Sequence, residues 1–180
     1  MSLLSYTEIC ELIFKGVVKN ADYECVNSAS LDLRLGDMIL EESTFGSQVI
    51  ILRDKHHLPT FQKSLKETGF YDLYPGQFIL AHSVEVFNLP NNISAEYKLN
   101  SSMARIGLEH LNAGWCDAGW NGSVLTLELK NMTQNHVIRL HAGDKIGQIV
   151  FFSHTKVPEE KSYSVRGRYN GDKSVSGVKK

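Results

Sequence analysis

Side chains that could do chemistry are concentrated in one stretch of the chain, residues 100–131. Two hydroxyls and a guanidinium, on Ser101, Ser102 and Arg105, lie within five residues of one another. Hydroxyl and guanidinium groups donate hydrogen bonds to phosphate oxygens, and one arginine can bind two of these oxygens at once. The pattern occurs often by chance, but it indicates an anion-binding site.

The same stretch carries two carboxylates in different surroundings. Glu128 lies in the apolar run 124–129, which has the composition of a β-strand. Strand alternation puts Val124 and Thr126 on the face of Glu128 and the leucines on the other face. Such a carboxylate either faces solvent, the commoner case, or lines a ligand cavity. Asp117 lies between two glycines, where its carboxylate could approach a ligand or simply cap a turn.

Several common enzyme sites are excluded because their strings are missing. The chain has no G-x-x-x-x-G-K-[ST] loop, no G-x-G-x-x-G, no G-x-S-x-G elbow, no H-E-x-x-H and no H-x-E with P-C-x-x-C. Its seven histidines show no metal-ligand spacing and are interpreted as surface or core side chains. Cys10, Cys25 and Cys116 form no C-x-x-C pair and are expected to be free thiols, without zinc or a disulfide. Any catalysis would therefore rest on a carboxylate acting on water.

Length and charge limit the class of protein. A chain of 180 residues makes one ordinary domain, and 42% hydrophobic with 22% charged residues is typical of a globular protein. The formal net charge of -1 gives no electrostatic case for nucleic acid or a membrane as partner. No apolar run approaches the roughly eighteen residues of a membrane span, and the start has no signal-peptide core. A cytoplasmic location is therefore expected.

Short strands are predicted on both sides of the central stretch. Ser5 and Glu8 have the form of a capping box, and the apolar spacing that follows predicts a short helix ending near Gly16. Strands are predicted at residues 27–36, 49–52, 73–82, 84–89 and 145–152. The segment with His56 and His57 is interpreted as surface, in part helical. One helix followed by many strands predicts a mainly β fold, a barrel or a sandwich.

The end of the chain differs in composition from the rest. Residues 156–180 are charged and rich in glycine and serine, which by itself favours a solvated terminus. The alternative is a flap that orders over an anionic ligand, and Arg166, Arg168 and Tyr169 with their neighbouring glycines suit it. The predicted organisation is a β domain over residues 1–155 and a flexible tail over residues 156–180.

Several strings, in this order along the chain, resemble the dCTP deaminase branch of the trimeric dUTPase superfamily. They are SLDLRLG at 30–36, PGQF at 75–78, SSMARIGL at 101–108, AGWCDAGW at 113–120, TLEL at 126–129 and AGDKIGQ at 142–148. The similarity covers nearly the whole chain, and the ordered set is far more specific than any single string. It implies a distorted β-barrel or jelly-roll of the dUTPase-like type, assembled as a homotrimer with active sites at subunit interfaces.

The resemblance also implies an activity, the conversion of dCTP to dUTP and ammonia without zinc, with magnesium on the triphosphate. Glu128 would be the general base and acid, with Arg105 beside it, and Ser101 and the backbone of Ala113 would hold the attacking water. The side chains implied to bind the nucleotide are Ser101, Ser102, Arg105, Asp117, Gln148, Tyr163, Arg168 and Tyr169.

The chain departs from the family pattern in three places. The spacing from Arg105 to Ala113 is one residue shorter and that from Asp117 to Glu128 one longer, which predicts a β-bulge between residues 122 and 127. Asn100 stands where an arginine is common. The tail reads YNGD at 169–172 and lacks an expected glutamine.

Two other functions stay open beside deamination to dUTP, which is ranked first. A bifunctional enzyme would carry dCTP through to dUMP and pyrophosphate, with Asp117 activating water at the α-phosphate. A non-catalytic nucleotide-binding regulator would require a lost catalytic group, yet Ser101, Arg105, Asp117 and Glu128 are all present. The sequence leaves open whether dTTP inhibits and whether the cytosine carries a 5-substituent.

Overall fold

The protein is described by a computed structural model over residues 2–43, 49–55 and 58–179, so His56 and His57 lie outside the described residues. The strands are β1 Ser2–Leu3, β2 Val18–Lys19, β3 Leu31–Arg34, β4 Met38–Glu42, β5 Thr60–Ser64, β6 Tyr71–Leu73, β7 Phe78–Asn88, β8 Ile93–Leu99, β9 Leu108–His110, β10 Trp115–Cys116, β11 Asn121–Asn131, β12 Ile138–Leu140 and β13 Lys145–Ser153. The helices are α1 Tyr6–Phe14, α2 Leu65–Thr68, α3 Ser101–Arg105 and α4 Tyr163–Arg166.

Two antiparallel sheets form the body of the protein. One has the order β1-β13-β8-β10, with β3 also paired to β13, and the other has the order β5-β4-β7-β11-β9, with β2 also paired to β7. Strands β12 and β6 form a small separate ribbon. Fully buried side chains of both main sheets, such as Leu33, Phe87, Leu127 and Phe151, make the core. The predicted mainly β, jelly-roll-like class is confirmed, although the sheets do not close into a barrel within the described ranges.

The predicted N-terminal helix is also confirmed. The Glu8 carboxylate accepts hydrogen bonds at 2.9 Å from both the backbone N–H and the hydroxyl of Ser5, which satisfies the start of α1. Ile9 and Leu12, on one helical face, are buried against the core. The helix ends at Phe14, and Gly16 follows with φ +70°, a backbone conformation that favours glycine.

Two strand predictions need correction. The predicted strand at 49–52 is wrong, because residues 49–51 pair with no strand in the described part and Leu52–Asp54 is a 3-10 turn. The two strands predicted at 73–82 and 84–89 merge into the single strand β7, Phe78–Asn88, while Leu73 ends β6 and a turn joins the two. The polar centre of β7 is buried and bonded, since Ser83 Oγ donates to Glu85 O at 2.7 Å and accepts from Leu125 N at 2.9 Å.

Strand β11 presents Glu128 as predicted. Leu125, Leu127 and Leu129 are buried on its inner face, whereas Thr126 and Glu128 are half-buried on the opposite face. The predicted bulge is confirmed at Gly122, because Asn121 and Ser123 pair with consecutive residues of β7. A second shift, between Val124 and Thr126, places extra residues in β7 instead. The extra residue therefore sits upstream of Glu128 and leaves the regular pairing around it intact.

A buried ion pair joins β3 to β7. Glu85 is fully buried, Arg34 Nε donates to its Oε1 at 2.8 Å, and the Arg34 backbone N–H donates to its Oε2 at 3.0 Å. Burial raises the pKa of Glu85 above its ordinary value, while the hydrogen bonds and the charge of Arg34 oppose this shift. The carboxylate thus depends on one half-buried cation.

Replacing Arg34 with methionine is expected to lower the free energy of unfolding by about 3–5 kcal/mol, because Glu85 would stay buried without its cation. An acid with a raised folded-state pKa loses stability as the pH rises through that pKa. The loss in Arg34→Met should therefore be larger at pH 8 than at pH 5, as measured by urea unfolding. Arg139→Met, which breaks the exposed pair with Asp72, serves as the control and should cost much less. Equal losses in both variants would contradict the assignment.

The tail packs against the domain that precedes it. Strand β13 ends at Ser153, and the tail begins shortly after it, at residue 156. The tail includes a 3-10 turn at Glu159–Lys161 and helix α4. Trp120 Nε1 donates to Tyr169 O at 3.0 Å, Gly171 N to Asn121 O at 3.0 Å and Val124 N to Asp172 O at 2.8 Å. Its flexibility stays a prediction. In the described ranges, no helix has both the length and the apolar character needed to cross a bilayer.

Candidate active site

A cavity of about 600 Å³ beside β11 holds both predicted carboxylates. Thr126 and Glu128 of β11 line it together with Phe78 and Leu80 of β7, and Leu80 stands directly opposite Glu128 in the strand pairing. Of the predicted site residues, the cavity walls contain Ala113, Asp117, Glu128, Tyr163 and Tyr169. A volume of this size is typical of a site for a small organic ligand.

The side chain of Glu128 lies between the cavity and the protein interior. Its side chain is 24% exposed, yet its Oε2 is buried and lies 3.1 Å from Nε2 of His110, at the end of strand β9. His110 itself is buried, and β9 pairs with β11 so that His110 stands opposite Leu129. Sequence reasoning missed His110 as a functional residue, since it grouped all histidines as surface or core. Its position three residues before Ala113 was the available signal.

Asp117 reaches the cavity from the turn that follows β10. Its Oδ1 accepts a hydrogen bond from Trp115 Nε1 at 2.9 Å, and its backbone oxygen accepts from Trp120 N at 3.1 Å. The turn needs a glycine, because Gly119 has φ +88° and an added Cβ would come within 2.0 Å of Ser162 Oγ in the tail. The aspartate is therefore both a turn residue and a cavity residue, and an indole orients its carboxylate.

The predicted phosphate-binding residues lie elsewhere on the chain. Ser101, Ser102 and Arg105 form the short exposed helix α3, and the Asn100 side chain caps it by accepting from Ser102 N at 3.0 Å. Arg105 lines a second, open surface cavity together with the side chain of Thr133. Within one described chain, none of these three residues lines the cavity of Glu128.

Two further residues predicted to contact the nucleotide, Gln148 and Arg168, also do not line the cavity. Gln148 lies on β13, where its Oε1 accepts a hydrogen bond from Ser30 Oγ at 3.0 Å. Arg168 follows α4 and is exposed. Their roles at the nucleotide, like those of Ser101, Ser102 and Arg105, stay predictions.

The chain also resembles known proteins over nearly its full length. Residues 3–154 match the profile of the family described as dCTP deaminase-like. The chain belongs to this family. It is 35% identical over 172 residues to "dCTP deaminase, dUMP-forming" of Methanosphaerula palustris, covering 94% of this chain and 90% of that protein. It is 39% identical over 175 residues to the protein of the same name in Aquifex aeolicus, covering 96% and 92%.

A solved structure is also similar. The crystal structure of 2'-deoxycytidine 5'-triphosphate deaminase from Agrobacterium tumefaciens superposes with a TM-score of 0.64 at 27% identity. The match covers 83% of this chain and 48% of that longer chain, so it compares this domain with about half of its relative.

The cavity of this dCTP deaminase-like chain has carboxylates but no reactive thiol. Cys116 lines the cavity, but burial, reinforced by the charges of Asp117 and Glu128, raises the pKa of its thiol to about 12. A thiol so protonated is a poor nucleophile. Among the described residues, no three His, Cys, Asp or Glu side chains converge in a way that could hold a metal ion. Three carboxylates line the cavity, those of Glu128, Asp117 and Asp172. The Asp172 carboxylate accepts a hydrogen bond from Ser176 Oγ at 2.8 Å and pairs with Lys179, both within the tail.

Proposed function

We propose that this protein is a dCTP deaminase of the dUMP-forming type, which converts dCTP to dUMP, pyrophosphate and ammonia. The carrying observation is that one cavity has both Glu128 and Asp117 on its walls, one carboxylate for each of two hydrolytic steps. The names of the relatives from Methanosphaerula and Aquifex support this alternative better than release of dUTP, the product ranked first from the sequence.

In the first step, Glu128 acts as a general base on water. The water oxygen bonds to C4 of cytosine, the backbone of Ala113 helps to hold it, and the C4–N4 bond breaks. Both protons of the water end on the products, one on ring N3 and one on the departing ammonia. Glu128 can transfer them in turn because it has one buried oxygen and a side chain that lines the cavity.

In the second step, Asp117 acts on another water. The water oxygen bonds to the α-phosphorus, the bond from phosphorus to the α,β-bridging oxygen breaks, and pyrophosphate leaves with the electron pair. Magnesium enters as part of the substrate, bound to the triphosphate, and no zinc takes part. The hydrogen bond from Trp115 Nε1 directs the Asp117 carboxylate for this reaction.

The site is completed by a second copy of the chain in this proposal. Ser101, Ser102 and Arg105 are exposed on α3 and do not reach the cavity of their own chain, as a site between subunits requires. A large apolar side chain is exposed at each of the two parts that would meet in such a site. Ile106 is exposed beside Arg105, and Trp115 is exposed at the Glu128 cavity. Exposed apolar surface of this kind is typical of an interface. The homotrimer and the cytoplasmic location expected above belong to the proposal.

The proposal is tested by incubating purified protein with dCTP and magnesium in the presence of a zinc chelator, and then separating the nucleotides. Equal amounts of ammonia and pyrophosphate with dUMP are expected. Accumulation of dUTP would instead establish a deaminase that acts alone. If neither dCTP nor added dUTP is converted, the result would favour a non-catalytic nucleotide-binding function.

Replacing Asp117 with asparagine is expected to change the product. Formation of dUMP should fall by about 100-fold or more, since an amide cannot act as the base, while dCTP is still deaminated and dUTP accumulates. Asp144→Asn, in the exposed turn before β13, is the matched control and should leave the product ratio unchanged. Loss of both reactions in Asp117→Asn, with the fold intact by circular dichroism, would contradict a role confined to the second step.

A further inference from the structure

Three neighbouring side chains at the active-site cavity each have a buried polar atom without a hydrogen bond. These atoms are Tyr97 Oη, His110 Nε2 and Glu128 Oε2, and the described residues hold one further atom of this kind, Ser174 Oγ in the tail. Tyr97 is 2% exposed and His110 4% exposed. Buried polar atoms nearly always have a partner, so three such atoms in one cluster require a physical reason.

The three side chains form a continuous row. The rings of Tyr97 and His110 meet edge to face, with centroids 4.5 Å apart and planes at 62°. His110 Nε2 then lies 3.1 Å from Glu128 Oε2, a distance at which a hydrogen bond is possible but in an orientation that does not make one. Tyr97 does not line the cavity, so it acts on the reaction through its neighbours.

Packing explains the ring of Tyr97 but not its hydroxyl. Strand β13 has Gly147 beside the phenol, and a Cβ added there would come within 2.2 Å of Tyr97 Oη. Glycine thus leaves room for an oxygen that bonds to no other described residue. Phenylalanine would fill the space of the ring without the free-energy cost of an unpartnered oxygen.

The hydroxyl of Tyr97 stays protonated. Burial raises the pKa of Tyr97 above its ordinary value, and the negative charge of Glu128 adds to this effect. A protonated phenol can donate one hydrogen bond and accept another, while an ionised carboxylate only accepts. An enclosed water needs two to four polar partners and typically has about three, which is the number of atoms in this cluster.

We propose that Tyr97 is a positioning residue of the active site, which acts through one enclosed water bonded to Tyr97 Oη, His110 Nε2 and Glu128 Oε2. The water ties one oxygen of the Glu128 carboxylate to the protein interior. The other oxygen, Oε1, is thereby directed at the substrate water in the cavity. This inference rests on the proposed function of Glu128 as the base in deamination.

Tyr97→Phe keeps the ring and removes only the oxygen. We expect kcat for deamination of dCTP to fall about tenfold, the equivalent of one hydrogen bond, with KM changed less than about twofold because Tyr97 does not touch the nucleotide. The melting temperature should change little, because the ring still fills its space. Tyr71→Phe on β6 is the matched control. The phenol oxygen of Tyr71 accepts a hydrogen bond of 2.6 Å from Gln77 and does not line the cavity, so this variant should leave kcat unchanged. An unchanged kcat in Tyr97→Phe would overturn the proposal.

The second measurement needs neither a variant nor turnover. A crystal structure of the unaltered protein, at a resolution that shows ordered waters, should contain one water bonded to the three atoms. A dry cluster, with Tyr97 Oη bonded to no other atom, would overturn the proposal whatever the activity. A water at this place in a protein that leaves dCTP unchanged would support the network, while the proposed function itself would fail.

Discussion

Replacing Glu128 with glutamine is expected to lower the rate of dCTP deamination by about 10²–10⁴-fold. Glutamine has nearly the same shape as glutamate, but its amide cannot take a proton from water. The nucleotide should still bind, because the cavity walls are otherwise unchanged. The rate is measured as ammonia release, and the affinity for dCTP is measured by calorimetry.

Two comparisons make this result specific. Glu109→Gln, on the exposed face of the neighbouring strand β9, should behave like the unaltered protein. When dUTP is supplied instead of dCTP, Glu128→Gln should still form dUMP, because the second hydrolysis depends on Asp117. Deamination by Glu128→Gln at a rate comparable to that of the unaltered protein would remove Glu128 from the mechanism.

Mixed trimers of the proposed assembly are expected to give the second large effect. Arg105→Ala and Glu128→Gln should each be inactive alone, because each removes one half of every site. If a site combines Arg105 of one subunit with Glu128 of its neighbour, each mixed trimer restores both groups in one of its three sites, so about one third of the sites are complete in the doubly tagged assembly. Co-expression of the two variants with different affinity tags, followed by two-step purification and assay, is expected to show this recovery.

The control for this experiment pairs Glu128→Gln with the double variant that carries both substitutions, which cannot rebuild any site. It should stay inactive. A doubly tagged assembly of the two single variants without activity would mean that both residues serve the same chain's site. Arg105 would then have to reach Glu128 by a rearrangement of α3.

The elements that depend on neighbouring residues in the chain could be predicted from the sequence. The capping box of α1 is a contact between Ser5 and Glu8, and the alternation on β11 follows from strand geometry alone. The bulge followed from residue counting against a related pattern. Each of these features depends on a few residues close together in the chain, so it can be predicted without knowledge of the tertiary structure.

Features that depend on distant partners were missed. The apolar run 49–52 has strand composition, but no sheet edge of the described part pairs with it. His110 looked like any other histidine until the pairing of β9 with β11 set it against Glu128. The sequence ranks release of dUTP first, whereas the names of the relatives support formation of dUMP better.

The hydrogen bonds between the tail and β11 have a consequence for the sheet itself. Strand β9 pairs with β11 only at residues 129–131, so the first half of β11 has no strand on that side among the described residues. Gly171 and Asp172 bond there to Asn121 and Val124 and cover main-chain groups that would otherwise form an open edge. Open edges recruit other chains and promote aggregation. The segment expected to close over the nucleotide therefore also guards the sheet, and each excursion of the tail from the site would expose β11 to edge-to-edge association.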